Sequence, residues 1–324
     1  MLKLSIKITC LYAIIVFMNI PITQSEAWYQ LQDDLKEKSY FKQESDYQYL
    51  AILKSTPVGN YLYCPYGPIF KNQDAFKKSL ISLQNLAKET IFIRIEPVDA
   101  KTINYLPDNA KKSHDLNPKE TWMLDLTGND ADLKAKLPSR LFRYYKAAVK
   151  NGITIETSHN PDDIKYLLDL QKALASKKGI NTFSEKSLKT ELKQPFATLY
   201  LVRYQDPNTK KSEIVAAGLV FDDETTRYNL QGAQSDQGRK LHATGILTIQ
   251  LIQDAKAKNL QTFDFWGIAP ENAPKNHPWA GFTNFKKTFA GYQVDHAGTY
   301  DIVLSPFRYK LYQVFRKINR FLHK

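Results

Sequence analysis

The side chains best suited to chemistry in this 324-residue chain fall between residues 262 and 294. Phe263-Asp264-Phe265-Trp266 alternates like a strand and stops at Gly267. Residues 269–278 form a loop rich in proline and asparagine. Phe285-Lys286-Lys287 and Phe289-Ala290-Gly291-Tyr292 then set a lysine among aromatic rings. Loops carried on a rigid scaffold collect binding and catalytic groups, and the reactive group here is a single cation. Metal chemistry has no comparable basis. None of His114, His159, His242, His277, His296 and His323 is spaced like the zinc-binding HExxH pair. Cys10 and Cys64 form no CxxC pair and no disulfide framework, which fits a reducing compartment.

The composition bounds the partners. Hydrophobic residues make up 43% of the chain and aromatics 12%, so a large core forms and wholesale disorder is excluded. The length is enough for two domains. A formal charge of +12 points to an anionic partner such as nucleic acid, a phosphorylated substrate or a lipid headgroup, against the plainer reading of a solubilising surface.

The elements that must position the lysine read as follows. Residues 47–53 and 61–64 are strands joined by the turn Pro57-Val58-Gly59-Asn60. Residues 74–88 are a helix with Phe76, Leu80, Leu83 and Ala87 on one face. Residues 91–96 and 122–126 are strands. Residues 134–150 are a basic helix with an apolar stripe of Leu133, Leu137, Leu141, Tyr144 and Ala148; its charged side is either a solvated face or a phosphate-facing one. Asn160-Pro161-Asp162-Asp163 starts another helix that ends near Gly179, and Ser184 caps a shorter one. Strands follow at 197–204, 213–221 and 226–231, then a helix at 241–258 and the strand at 262–266. Ser305-Pro306 opens a last helix with Phe307, Leu311, Phe315 and Ile318 on one face, and with Arg308, Lys310, Arg316, Lys317, Arg320 and Lys324. Residues 47–97 and 197–267 share one order of hairpin strands, helix and strand, an α/β unit used twice. At the N-terminus, Lys3, Lys7, the apolar run 8–20 and Ser25-Glu26-Ala27 resemble a secretory signal. The run is short for a membrane span, and the competing reading makes it a first element of the fold.

Several segments in series resemble the FemABX family, the aminoacyltransferases that form peptidoglycan bridges. They are Gln24-Ser25-Glu26-Ala27-Trp28, Tyr66-Gly67-Pro68-Ile69, Phe92-Ile93-Arg94-Ile95-Glu96-Pro97, and Arg140-Leu141-Phe142-Arg143 onward to Gly152. Phe263-Asp264-Phe265-Trp266-Gly267 and Gly281-Phe282 through Lys286 to Gly291 complete the series. The resemblance implies an α/β (α+β) fold of two tandem acetyltransferase-like (GNAT) domains. These are expected over residues 1–132, with a C-terminal helix (300–324) packing back, and over 133–299. The chain resembles the armless type, since residues 179–197 leave no room for a coiled-coil arm. It also keeps Gln24 to Trp28 inside the folded first domain, which favours a cytoplasmic protein over one cleaved after Ala27.

The activity implied is transfer of an amino acid from aminoacyl-tRNA to the side-chain amine at position three of a peptidoglycan stem peptide. The acceptor is UDP-MurNAc-pentapeptide or the lipid-linked form, lipid II. Aminoacyl-tRNA is the co-substrate and no cofactor is expected. A monomer with transient contact to the inner-membrane surface is implied. Such chemistry needs positioning and a positive group at the developing oxyanion. By resemblance Lys286 supplies the charge with the Phe285 backbone beside it, Glu96 lies near substrate, and Tyr228 is the first of two tyrosines in the acceptor-binding strand. There are departures. A phosphate-contacting lysine of some relatives falls at Gln32, a linker-helix arginine at Lys177, and the second tyrosine at Leu230, which alters acceptor binding. Two other classes compete. One is an acetyl-CoA-dependent acetyltransferase, for which Gln231-Gly232-Ala233 and Gln237-Gly238-Arg239 are poor pyrophosphate loops. The other is a non-enzymatic basic protein that binds RNA or a membrane surface.

Overall fold

The structure, a computed structural model, describes residues 20–150, 152–178 and 184–322. It divides into two units, residues 1–119 with 295–324, and residues 120–294. In chain order the first unit holds α1 (Glu26–Asp34), β1 (Ser39–Gln43), β2 (Tyr47–Thr56), β3 (Gly59–Cys64), β4 (Ile69–Phe70), α2 (Gln73–Leu86), β5 (Phe92–Ile95) and β6 (Ala110–Lys112). The second holds β7 (Glu120–Asp125), α3 (Asp130–Lys136), α4 (Ser139–Lys150), β8 (Ile153–Ser158), α5 (Ile164–Lys178) and α6 (Glu185–Leu192). It continues with β9 (Ala197–Gln205), β10 (Ser212–Asp222), β11 (Thr226–Gln234), α7 (Asp236–Lys240), α8 (Ala243–Ala257), β12 (Thr262–Gly267), α9 (Ala280–Lys287) and β13 (Tyr292–Asp295). β14 (Tyr300–Val303) and α10 (Pro306–Leu322) then return to the first unit.

The two sheets follow one plan. The first runs β1-β2-β3-β5-β14-β6, with β4 beside β2, and the second runs β13-β7-β12-β11-β10-β9-β8. In each, a hairpin strand crosses through a helix to a parallel partner. β3 pairs with β5 (Leu62 opposite Ile93), and β11 pairs with β12 (Tyr228 opposite Asp264). In each, the strand beyond the parallel pair is antiparallel and comes from outside the repeat: β14 lies on β5, and β7 on β12.

Local chemistry explains the elements. Asn72 caps α2 by accepting from the Ala75 amide, and Phe76, Leu80 and Leu83 bury against the sheet with Tyr49, Leu62 and Ile93. In the second unit α8 is buried along most of its length, and Ile246, Leu247 and Leu251 join Phe263, Phe265 and Phe289 in one core.

The fold revises several expectations. The second unit starts at Glu120 rather than residue 133, because β7 is a ladder partner of β12, a long-range pairing with no local signature. The single helix expected over 134–150 is two, α3 and α4. Leu137, before Pro138, is extended at φ −82°, ψ 151°, as the proline ring demands. The helix expected from residue 241 begins at Ala243, after His242 adopts a left-handed φ of 56°. Ser184 precedes α6, but its hydroxyl makes no capping bond. The last helix turns Tyr309 and Tyr312 toward the interior, against Phe92, and leaves the Phe307, Leu311, Ile318 side outward. The signal-like run 8–20 lies outside the described residues except for Ile20.

Gln24 shows how the first unit is closed. Its side chain is fully buried, donates to the carbonyls of Pro65 (2.6 Å) and Leu50 (3.2 Å), and accepts from the Leu50 amide (2.8 Å). A Cβ on Gly67 would stand 2.5 Å from that amide group, so a larger residue there would push Gln24 off its bonds. Ser25 caps α1 by accepting from the Trp28 amide. A chain cut after Ala27 would lose both devices.

Candidate functional site

The parallel pair β11 and β12 is in register only from Thr226 and Thr262 to Tyr228 and Asp264. Beyond that point β11 continues to Gln234 on its other neighbour, β10, while β12 bulges and meets β7 again at Gly267. The strands therefore part, and the parted end of β12 carries the reactive residues. Trp266 sits there at φ 67°, a conformation bulky side chains seldom adopt, with its amide donating to Asp264 Oδ1 at 2.7 Å.

α9 brings Lys286 to this end. The Thr283 hydroxyl accepts from the Ala269 amide at 2.8 Å, and Trp122 Nε1 donates to the Phe289 carbonyl at 3.1 Å, so the segment is tied to the loop after β12 and to β7. A Cβ on Gly291 would lie 2.3 Å from the Met123 carbonyl oxygen, which explains the glycine that ends the motif. The Phe285 ring meets Phe289 edge-on at 5.2 Å, and Phe289 packs on Phe265. Phe285 is thus the residue that seats the helix on the core.

Lys286 is half-buried. Its Nζ donates to the Gly267 carbonyl at 2.6 Å and lies 5.6 Å from the centre of the Phe282 ring. Burial pulls its pKa down to about 8, against a smaller upward pull from the Asp264 carboxylate. Asp264 is only 2% exposed, and burial pushes its pKa up to about 7, opposed by the Trp266 amide and by Lys286. Two groups of opposite charge, both titrating near neutrality at one strand end, are the arrangement expected of a working site. Asp264 was not legible as a site residue. Between two phenylalanines it reads as the outward face of a half-buried strand, whereas β12 is central and buried on both faces, as parallel strands are.

Tyr228 stands opposite Asp264 in register and meets the Trp266 ring edge-on at 6.3 Å. Its hydroxyl donates to Asp223 Oδ2 at 2.7 Å. Asp223 Oδ1 accepts from the amides of Thr225 and Thr226, and buried Arg227 holds Asp222 with two bonds of 2.7 Å, so the turn that orients Tyr228 is itself fixed.

The other sequence-derived candidates fall elsewhere. Glu96 belongs to the first unit, is 3% exposed, and accepts five bonds: from the Leu116 and Asn117 amides, the Thr299 and Tyr63 hydroxyls and the Asn117 side chain. It ties three segments of its own unit together. Gln32 is buried on the inner side of α1 beside Leu31. Lys177 falls in the last turn of α5, and its side chain lies outside the described residues.

Around Gln231-Gly232-Ala233 and Gln237-Gly238-Arg239, the amides that a pyrophosphate loop would need are engaged within the chain. The Gly238 amide donates to Ser235 Oγ, the Arg239 amide to the Ser235 carbonyl, and the Thr244 amide to Gln234 Oε1. A Cβ on Gly245 would lie 2.9 Å from Leu141 of α4, which covers the start of α8. No cluster of His, Cys, Asp and Glu among the described residues could hold a metal ion.

Comparison with known proteins agrees with the geometry. Residues 169–317 match the FemAB family. Among solved structures, FemX superposes with a TM-score of 0.76 at 17% identity, covering 90% of this chain and 94% of its own. The C-terminal domain of a putative lysylphosphatidylglycerol synthetase from Agrobacterium fabrum gives 0.60 at 11% identity, covering 91% and 93%. L-PGS from Bacillus licheniformis gives 0.55 at 13%, covering 94% and 99%. No curated protein matches in sequence. The resemblance read from the sequence is thereby borne out: residues 169–317 match the FemAB family, in a chain with the two-sheet α/β fold of FemX.

Proposed function

We propose that the protein is an aminoacyltransferase that moves an amino acid from aminoacyl-tRNA to the position-three side-chain amine of a peptidoglycan precursor, with UDP-MurNAc-pentapeptide or lipid II as acceptor. The observation that carries this reading is Lys286, an ammonium drawn out of bulk water and aimed at the parted end of β12. The acceptor amine attacks the ester carbonyl carbon, and the carbonyl electrons move to its oxygen. The intermediate then collapses, the ribose oxygen leaves with a proton, and the amine gives up its own. The ester is already activated, so the protein's task is to hold the reactants and to stabilise the oxyanion. Lys286 has three donors and the Gly267 carbonyl takes one, which leaves donors for the oxyanion. The net charge of +12 suits both tRNA and a diphosphate-bearing acceptor. Against acetyl-CoA as donor stand the occupied amides of residues 238, 239 and 244.

The test is purified protein with a mixture of charged tRNAs, acetyl-CoA, UDP-MurNAc-pentapeptide and lipid II, with products read by mass. The expected product gains one aminoacyl residue on the stem peptide. A gain of an acetyl group from acetyl-CoA, or no product with either acceptor, would overturn the proposal.

A further inference from the structure

We propose that the outward face of α10 docks the protein on an anionic lipid bilayer, with the helix lying in the plane of the interface. α10 is amphipathic in the wrong sense for a helix that serves only its own core. Phe307, Leu311, Val314 and Ile318 follow i, i+4, i+7, i+11 spacing and share an arc of about 60° on the helix wheel. They are 73%, 45%, 55% and 54% exposed. The side that faces the interior, about 160° away by the same geometry, carries Tyr309 and Tyr312, which pack on Phe92, and Tyr309 donates to buried Asp301. The helix is thus already anchored to its unit through the tyrosines, and the apolar stripe is surplus to that packing. An isolated exposed leucine needs no explanation, but four large apolar side chains in line on one helix mark a contact surface.

Charge selects the occupant. Residues 302–324 contain six lysines and arginines and no aspartate or glutamate. Lys310 and Lys317 are exposed along one flank of the stripe, where interfacial helices carry the cations that meet anionic headgroups. A second copy of this chain would bring the same positive flank and would be repelled. No helix among the described residues is long and apolar enough to cross a membrane, so the contact is one of lying on the surface.

The experiment is co-sedimentation of the full-length protein with phosphatidylcholine vesicles, with and without phosphatidylglycerol. It compares the unmodified chain, the double variant Leu311→Ser/Ile318→Ser and the double variant Lys310→Glu/Lys317→Glu. All four positions are exposed, and unchanged thermal unfolding verifies that the variants fold. The unmodified chain is expected to pellet with the anionic vesicles only. The serine variant should lose at least about tenfold in apparent affinity. The glutamate variant should lose about fivefold or more per site at low salt. Absence of binding to either vesicle would overturn the proposal. So would binding indifferent to phosphatidylglycerol, or binding by both variants equal to that of the unmodified chain, which would place the contact on another segment. A dimer in light scattering that the serine variant dissolves would assign the face to a second copy instead.

Discussion

The ammonium of Lys286 donates to the main-chain carbonyl of Gly267 at 2.6 Å, which fixes the side chain where β12 leaves its parallel partner. Lys286→Met keeps the apolar stem and removes the charge. The rate of aminoacyl transfer should fall by about 100- to 1,000-fold, the usual loss for an oxyanion donor. Binding of tRNA in a filter or mobility assay should be unchanged. Full activity in this variant would remove Lys286 from the mechanism.

The pH dependence follows from the neighbouring acid. Lys286 is a cation below about pH 8, so transfer should decline as pH rises through that value. Asp264 raises the lysine's pKa, so in Asp264→Asn the alkaline limb should move to lower pH. A limb that stays in place would show that the two groups do not communicate.

The same acid affects stability with a definite sign. Burial raises the pKa of Asp264 in the folded state to about 7, above its ordinary value, so the folded chain binds the extra proton between those limits. Its contribution is fully present in acid and is lost as pH climbs through about 7. Urea titrations of the unmodified protein and Asp264→Asn should therefore differ in slope across this window, with the asparagine variant gaining relative stability above it.

In the first unit Arg94 grips Asp301 with two bonds, at 2.7 and 2.9 Å, and both side chains are 1% exposed. Asp301→Ala leaves a buried guanidinium without its counter-charge and should cost about 3–5 kcal/mol in chemical denaturation. Replacing both residues by apolar ones of similar volume should recover much of that loss.

Gln24→Ala should cost about 1–3 kcal/mol, because the Leu50 and Pro65 main-chain groups it satisfies are buried. Lys36→Ala, at an exposed turn beyond α1, is a suitable control and should leave the midpoint nearly unmoved.

Much of this was legible because it is written in local patterns. The hairpin of β2 and β3, the face of α2 and the Asn160-capped 3-10 turn Pro161–Asp163 that leads into α5 follow from periodicity and turn chemistry. Lys286 stood out by its aromatic setting. What escaped depends on partners distant in sequence. β7 reads as a strand, but only its pairing with β12 shows which unit it completes. Glu96 ends a strand with no hint of the five donors that converge on it. The stripe of α10 shows that a face is apolar but not which way it points. Pro138 was a visible breaker that an unbroken apolar period masked.

The provenance of β14 has a consequence for how the molecule is made. This strand sits between β5 and β6, yet it is translated after the whole of residues 120–294. On the ribosome the first unit must wait with a vacant slot in its sheet until residues 300–303 emerge, after the whole of the later unit. A chain that stopped just before Tyr300 would therefore leave the first sheet, not the second, without a central strand.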